Sequence, residues 1–200
     1  MKRVRAALVR AAQDLSALGR SFALGGGFAV SVRAEPRTTR DVDFLVAVRD
    51  DEDAERLAAD LVARGYVIVA AIEQTAVGRL ATVRLRSPSS AVVDLLFASS
   101  GAEAEIIARS DEIEVLRGIR LGVPTVGHLI ALKVLSRDDR ERPQDRVDLA
   151  ALLRRATRAD LTEAREALEL ITERGFNRGK QLVDELDGVV AEFPRSGDEK

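Results

Sequence analysis

The chain has 200 residues, a length that fits one compact unit with a modest appendage better than two full domains. Apolar residues make up 46% of it, enough to bury a core, and the formal net charge of -2 removes overall basicity as an argument for nucleic-acid binding. The absence of cysteine and the single histidine exclude disulfide frameworks, thiol nucleophiles and histidine-rich metal sites. Carboxylates, hydroxyls, lysine and arginine remain for chemistry.

Helices and strands alternate in the first third of the chain. Apolar residues at helical spacing predict a helix that ends at Gly19, followed by a short strand over 22–24, three glycines and a second helix. A β-branched apolar run over 42–48 predicts a buried strand. The pattern then returns to helical spacing over 50–64.

Short connections favour antiparallel pairing in the middle of the chain. Strands are predicted over 66–72, 80–86, 91–97, 113–116 and 119–123, with a short helix over 103–109. Further helices are predicted over 125–136, 145–156, 161–174 and 180–193. The sequence therefore predicts an α+β fold. A small mixed β-sheet domain over 1–124 precedes a C-terminal helical region over 125–193, which completes the active site, and a mobile tail over 194–200.

Two aspartates, Asp41 and Asp43, stand two residues apart at the start of the strand that follows the glycines. Side chains alternate along a strand, so both carboxylates share one face, with about 6 to 7 Å between their Cα atoms. Such a pair can bind Mg²⁺ or Mn²⁺, which commonly takes one or two carboxylates and completes its shell with phosphate and water. The alternative interpretation is that both acids are simply solvated.

Asp94 lies in an apolar run over 91–97 that predicts a strand buried on both faces. An ionised carboxylate there is costly unless a cation or several donors meet it. If its strand neighbours that of Asp43, the three acids form one metal-binding cluster. The alternative is a partner arginine, since arginines outnumber lysines 27 to 4.

Glycines and a lysine indicate phosphate binding. Gly26 and Gly27 at a strand-to-helix turn let the backbone approach an anion, for which a triphosphate is the natural candidate, although a tight turn alone also explains them. Lys133 lies on a helix that is apolar nearly all round, so its ammonium either extends to water or binds phosphate. His128 is interpreted as a structural imidazole with no visible partner.

The segments LGGGFAV, TTRDVDFLV and VVDLLF resemble the nucleotidyltransferase superfamily with the DNA polymerase β fold. Its signature is a Gly-Gly or Gly-Ser turn, an Asp-x-Asp strand and a later acidic strand. The segment HLIALKVLSRDDRERPQDRVDL is similar to the AbiEii toxin group, also called MenT-like nucleotidyltransferases, which have a lysine-bearing helix and an aspartate ahead of leucine. The resemblance covers about residues 20–150.

This resemblance implies a role for each matching residue. The nucleotide would be bound by Gly26, Gly27, Thr39, Arg40 and Lys133. The catalytic residues would be Asp41, Asp43, Lys133 and Asp148, and the metal ligands would be Asp41, Asp43 and Asp94.

The sequence thus predicts a metal-dependent nucleotidyltransferase that moves a nucleotide from an NTP to an acceptor hydroxyl. The resemblance implies a toxin that modifies the 3′ end of a tRNA and is opposed by a cognate antitoxin. Arginines over 137–158, together with Arg33, Arg37 and Arg40, flank the site and favour RNA. The alternatives are an aminoglycoside-type transferase, whose acceptor groove would carry acids, and an inactive binding module. With no signal-peptide block and no long apolar run, the protein is expected to be cytoplasmic, with no membrane contact.

Overall fold

A computed structural model of the chain describes residues 2–138 and 143–193; the predicted mobile tail over 194–200 lies outside the described residues. All the strands of the described residues lie before Pro124, interspersed with four helices, and only helices follow. The strands are β1 Phe22–Leu24, β2 Asp41–Val46, β3 Val67–Gln74, β4 Arg79–Arg86, β5 Val92–Leu96, β6 Asp111–Leu116 and β7 Ile119–Val123. The helices are α1 Lys2–Ala17, α2 Gly26–Arg33, α3 Asp51–Ala63, α4 Glu103–Ala108, α5 Val126–Ser136, α6 Pro143–Leu153, α7 Arg158–Glu173 and α8 Leu182–Glu192.

Five strands form one mixed sheet in the order β1-β2-β5-β4-β3. The short loops pair β3, β4 and β5 antiparallel, as predicted, whereas β2 and β5 are parallel because a long crossover separates them. The registers place Asp43 opposite Asp94 and Asp94 opposite Arg84. The strands β6 and β7 form the predicted hairpin beside this sheet.

The two faces of the sheet differ because side chains alternate along each strand. Val42, Phe44, Leu85, Val93 and Leu95 point to one face and are at most 1% exposed, in the core formed with α1 and α3. Full burial of each large side chain contributes about 2 kcal/mol. The alternate residues, which include the predicted metal ligands, therefore lie together on the opposite face.

A buried ionic group ties α1 to the start of β3. The Asp14 carboxylate accepts hydrogen bonds from Arg10 Nε at 2.7 Å, Arg64 Nη1 at 3.0 Å and the Tyr66 hydroxyl at 3.0 Å. Burial opposes ionisation of Asp14, but these hydrogen bonds outweigh it and hold its pKa below the usual range. Burial and the bond to Asp14 raise the pKa of Tyr66.

The C-terminal helices pack around α5, which contacts α2, α6, α7 and α8. One continuous cluster of buried side chains extends from Ala7 to Val189. The α+β fold is confirmed, whereas the division into domains at residue 124 stays a prediction. No helix within residues 2–138 and 143–193 is long and apolar enough to cross a membrane.

Candidate active site

A cleft of about 230 Å³ lies between the polar face of the sheet and α5. Gly26, Asp43, Asp94 and Lys133 line this cleft, so the structure brings four of the predicted site residues together. Aliphatic side chains form much of the remaining wall, and Arg84 also lines it. An apolar wall with a few convergent polar groups is typical of ligand sites.

The glycine turn closely contacts the Asp43 carboxylate. Gly26 begins α2 with a φ of +52°, a left-handed conformation that favours glycine. A Cβ at Gly26 would lie 1.8 Å from Asp43 Oδ2, so a side chain cannot fit here without displacing that carboxylate. The preceding Gly25 donates its backbone N–H to the Asp43 carbonyl at 2.7 Å. The first turn of α2 is therefore held beside one of the predicted metal ligands.

Thr39 holds the other member of the aspartate pair. Its Oγ1 lies 3.1 Å from both the backbone carbonyl and Oδ1 of Asp41, to which it donates. Thr39 therefore lies beside the strand that carries the predicted metal ligands, and its role in nucleotide binding stays a prediction. Arg40 is exposed and forms no hydrogen bond or ion pair with another described residue. Its role in nucleotide binding stays a prediction.

Asp94 has an arginine partner on the neighbouring strand. Arg84 Nε and Nη2 donate to the two Asp94 oxygens at 2.8 and 2.7 Å, which is a bidentate pair. Asp94 lies beside Asp43, as expected for a cluster, but its carboxylate already has the cation that burial requires. The structure therefore contains the arginine that the sequence offered as the alternative to a metal.

The aspartate pair fits a divalent ion in its chemistry. Asp41 and Asp43 are hard oxygen donors on one face of β2, and each is partly accessible. No group of three or more acidic or histidine side chains converges as a metal site in the described part of the chain. Two protein carboxylates are nevertheless sufficient for Mg²⁺, which usually completes its shell with water and substrate phosphates. Asp41 and Asp43 are thus the residues that would hold it.

Lys133 joins two buried acids of α6. Its Nζ lies 2.7 Å from Asp145 Oδ1 and 2.8 Å from Asp148 Oδ2, and its side chain is 12% exposed. Ser136 donates to the other Asp145 oxygen at 3.0 Å. The lysine ammonium therefore does not extend into bulk water, which was one of the two possibilities for it. Its predicted contact with phosphate stays a prediction.

Arg37 completes this ionic group and reaches the glycine turn. Its Nε lies 2.8 Å from Asp148 Oδ1, and its Nη2 donates to Asp148 Oδ2 at 3.0 Å. A Cβ at Gly27 would lie 2.5 Å from Arg37 Nη2, so this glycine leaves room for the guanidinium. Two cations, Arg37 and Lys133, thus meet two acids, Asp145 and Asp148, beside the cleft.

The sequence did not identify Arg84, Asp145 or Ser136 as site residues. Two signals were present. Asp145 precedes Asp148 by one helical turn, which places both on one face of α6. Arg84 alternates with the apolar residues Val83 and Leu85, which places it on the polar face of β4. Their partners, however, depend on strand register and helix packing.

Two other expectations need correction. His128 is 2% exposed, as expected for a core imidazole, but it has partners: its Nδ1 lies 3.0 Å from Thr125 Oγ1 and 3.7 Å from Glu163. Burial lowers the pKa of His128. Arg33 was expected in a patch facing RNA, but its guanidinium donates to the carbonyls of Val123 and Pro124, each within 2.8 Å. Arg33 therefore connects the end of α2 to the end of β7 and has a structural role.

A glycine turn against an Asp-x-Asp strand, with a second acidic strand paired to it in a mixed sheet, is the signature of a nucleotidyltransferase of the polymerase β-like class. The chain belongs to the family described as "Nucleotidyl transferase AbiEii toxin, Type IV TA system", which matches residues 7–195. The protein is accordingly an enzyme, and the inactive binding module is not supported.

Solved structures show the same fold at low sequence identity. An antigenic nucleotidyltransferase-like protein from Paracoccidioides brasiliensis has 19% identity and a TM-score of 0.52, with 93% of each chain covered. The antibiotic-resistance factor ANT(2'')-Ia has 16% identity and a TM-score of 0.51, with 96% of this chain and 92% of that chain covered. No curated protein sequence matches the chain at a significant level. These likenesses support the fold alone.

Proposed function

We propose that this nucleotidyltransferase transfers a nucleotide from an NTP to a hydroxyl of RNA, with the 3′ end of a tRNA as the acceptor. It acts in the cytoplasm, where NTPs and tRNA are found. It is the toxin of a pair whose antitoxin is encoded by a neighbouring gene. The family assignment supports the reaction class and the toxin-antitoxin setting. The acceptor is inferred from the charges around the cleft.

The observation that carries the choice of acceptor is the sign of the cleft's charged side chains. Two carboxylates line the cleft, those of Asp43 and Asp94, against three cations, those of Arg84, Lys133 and Arg178. Arg84 is paired with Asp94, and Lys133 with two acids of α6 that do not line the cleft. A polycationic aminoglycoside needs acids to bind, whereas RNA phosphates and bases bind arginine well. The cleft therefore favours an anionic acceptor over a cationic drug.

Asp41 and Asp43 are the residues that would hold Mg²⁺ or Mn²⁺. The ion would neutralise charge on the triphosphate and on the departing pyrophosphate. The reaction forms a bond between the acceptor oxygen and the α-phosphorus and breaks the bond to pyrophosphate, while the hydroxyl proton passes to a carboxylate or to water. No covalent bond to the protein is required, which agrees with a site lacking cysteine and histidine nucleophiles.

The residues of the chain act by positioning and by charge. Gly26 and the first turn of α2 lie beside Asp43, where backbone N–H groups favour an anion. Thr39 fixes the Asp41 carboxylate. Lys133 is held at the cleft by Asp145 and Asp148, ready to exchange a carboxylate for a nucleotide phosphate. Asp148 thereby positions both Lys133 and Arg37.

A comparison of acceptors tests this proposal. The purified chain is incubated with Mg²⁺ and each of the four NTPs labelled at the α-phosphate, with total RNA, purified tRNA or tobramycin as acceptor. The proposal predicts label in RNA, concentrated in tRNA and lost after removal of the terminal nucleotides. Label in tobramycin with none in RNA would instead support the small-molecule alternative. The antitoxin is tested by growth: expression of the chain alone should inhibit growth, and co-expression of the neighbouring gene should relieve that inhibition.

A further inference from the structure

The Asp94 carboxylate is bound by an arginine that belongs to the same sheet. Arg84 lies opposite Asp94 in the register of β4 and β5, and it donates to both oxygens at 2.8 and 2.7 Å. The Asp94 side chain is 7% exposed, whereas that of Arg84 is 45% exposed. Because backbone pairing fixes both residues, the pair is a built-in feature of the polar face of the sheet.

Arg84 also experiences the charges of the other two aspartates. Hydrogen bonds and attraction to Asp94 raise the pKa of Arg84, and the negative charges of Asp41 and Asp43 raise it further. A bidentate guanidinium satisfies both oxygens of a carboxylate. A metal ion that bound to Asp94 would have to break two charge-assisted hydrogen bonds and approach a fixed positive charge.

We propose that Arg84 takes the place of a metal ion at Asp94, so that Asp94 is a positioning residue for Arg84 and the nucleotide-free site takes one divalent ion, through Asp41 and Asp43. This inference rests on the proposed function, which supplies the ion. Arg84 then remains in the cleft as a permanent cation beside the ion. Its role differs from that of Lys133, whose two carboxylates lie on α6.

Binding of Mn²⁺ to the purified full chain, counted by electron paramagnetic resonance without nucleotide, tests the inference independently of activity. The wild type should bind one ion and Asp43→Asn none. Arg84→Met should bind two, because the Asp94 carboxylate is opened, and Arg84→Met with Asp94→Asn should return to one. The matched control is Arg86→Met, the next arginine on the same face of β4, which lies opposite Val92 and should leave the count at one.

Each outcome decides the inference. Two ions in the wild type, or one ion in both the wild type and Arg84→Met, would overturn it while leaving the proposed function intact. If neither the wild type nor Arg84→Met bound an ion, the metal role of Asp41 and Asp43 would be overturned as well. If Arg84→Met fails to fold, as judged by circular dichroism, the nearly isosteric Asp94→Asn decides alone. That variant should still bind one ion, and loss of the ion would contradict a positioning role for Asp94.

Discussion

Close contact between a glycine and an aspartate fixes the geometry of one part of the cleft wall. Gly26 has a positive φ, and the space that its Cβ would need is already occupied by Asp43 Oδ2. Backbone conformation and carboxylate position are therefore coupled at this point. A substitution at Gly26 is therefore expected to affect catalysis by displacing the Asp43 carboxylate.

Gly26→Ala should lower transfer by about 100-fold or more, because it displaces a proposed metal ligand by more than an ångström. Steady-state label transfer measures this effect. The matched control is Gly19→Ala, which also has a positive φ but has nothing within 4 Å of the added Cβ. Both variants should lose about 1 to 2 kcal/mol of stability from backbone strain. Equal activity in the two variants would contradict the role given to the Gly26–Asp43 contact.

Lys133→Met should reduce both stability and transfer, since the lysine neutralises two buried acids and faces the cleft. The free energy of unfolding should fall by only about 1 to 3 kcal/mol. The loss is limited because Asp148 would still be paired with Arg37, and Asp145 would still accept the hydrogen bond from Ser136. Adding Asp145→Asn to Lys133→Met should recover much of the stability, measured by urea unfolding, but not the transfer. A stable double variant with wild-type turnover would mean that Lys133 has only a structural role.

At the scale of elements, most of the fold could be predicted from the sequence. Periodic apolar spacing and glycine punctuation located the strands and helices because these signals are local. The apolar neighbours of Asp94 predicted its burial, but the sequence left open whether its strand pairs with that of Asp43, as it does in the structure. The partners of the acids could not be predicted in the same way. Arg37 and Asp148, for example, are separated by 111 residues and meet only when α6 packs against α2.

The end of α6 is the element for which an RNA contact is predicted. Arg154 and Arg155 are exposed there, and Arg154 is paired only with Glu35, which is also exposed, among the described residues. Arg154→Glu with Arg155→Glu should weaken RNA binding and flatten its dependence on salt, whose slope is about -0.7 per phosphate contact for single strands. NTP binding should not change.

Fluorescence anisotropy of a labelled tRNA at several salt concentrations measures this slope. The matched control is Arg3→Glu with Arg5→Glu, the same change of charge on the exposed face of α1. Equal slopes for the two double variants would show that net charge, and not the end of α6, determines RNA affinity.

At the scale of the whole molecule, stability should depend on the buried group around Asp14. The pKa of Asp14 is depressed in the folded chain, so the group contributes stability above the unfolded pKa of about 3.9 and loses it as pH falls through the folded pKa. The difference in melting temperature between the wild type and Asp14→Asn should therefore be largest near neutral pH and shrink below about pH 4. A difference that is constant from pH 7 to pH 2 would contradict the ionised state assigned to Asp14.

The central claim is that Asp41 and Asp43 support nucleotide transfer to RNA. The most direct measurement is simultaneous detection of pyrophosphate release and of α-phosphate label in tRNA, with Mg²⁺, for the wild type, Asp41→Asn and Asp43→Asn. The wild type should form both products in equal amounts. Each variant should form neither while its melting temperature is unchanged or raised, because repulsion between the two carboxylates is relieved. Equal transfer by the wild type and either folded variant would contradict the claim.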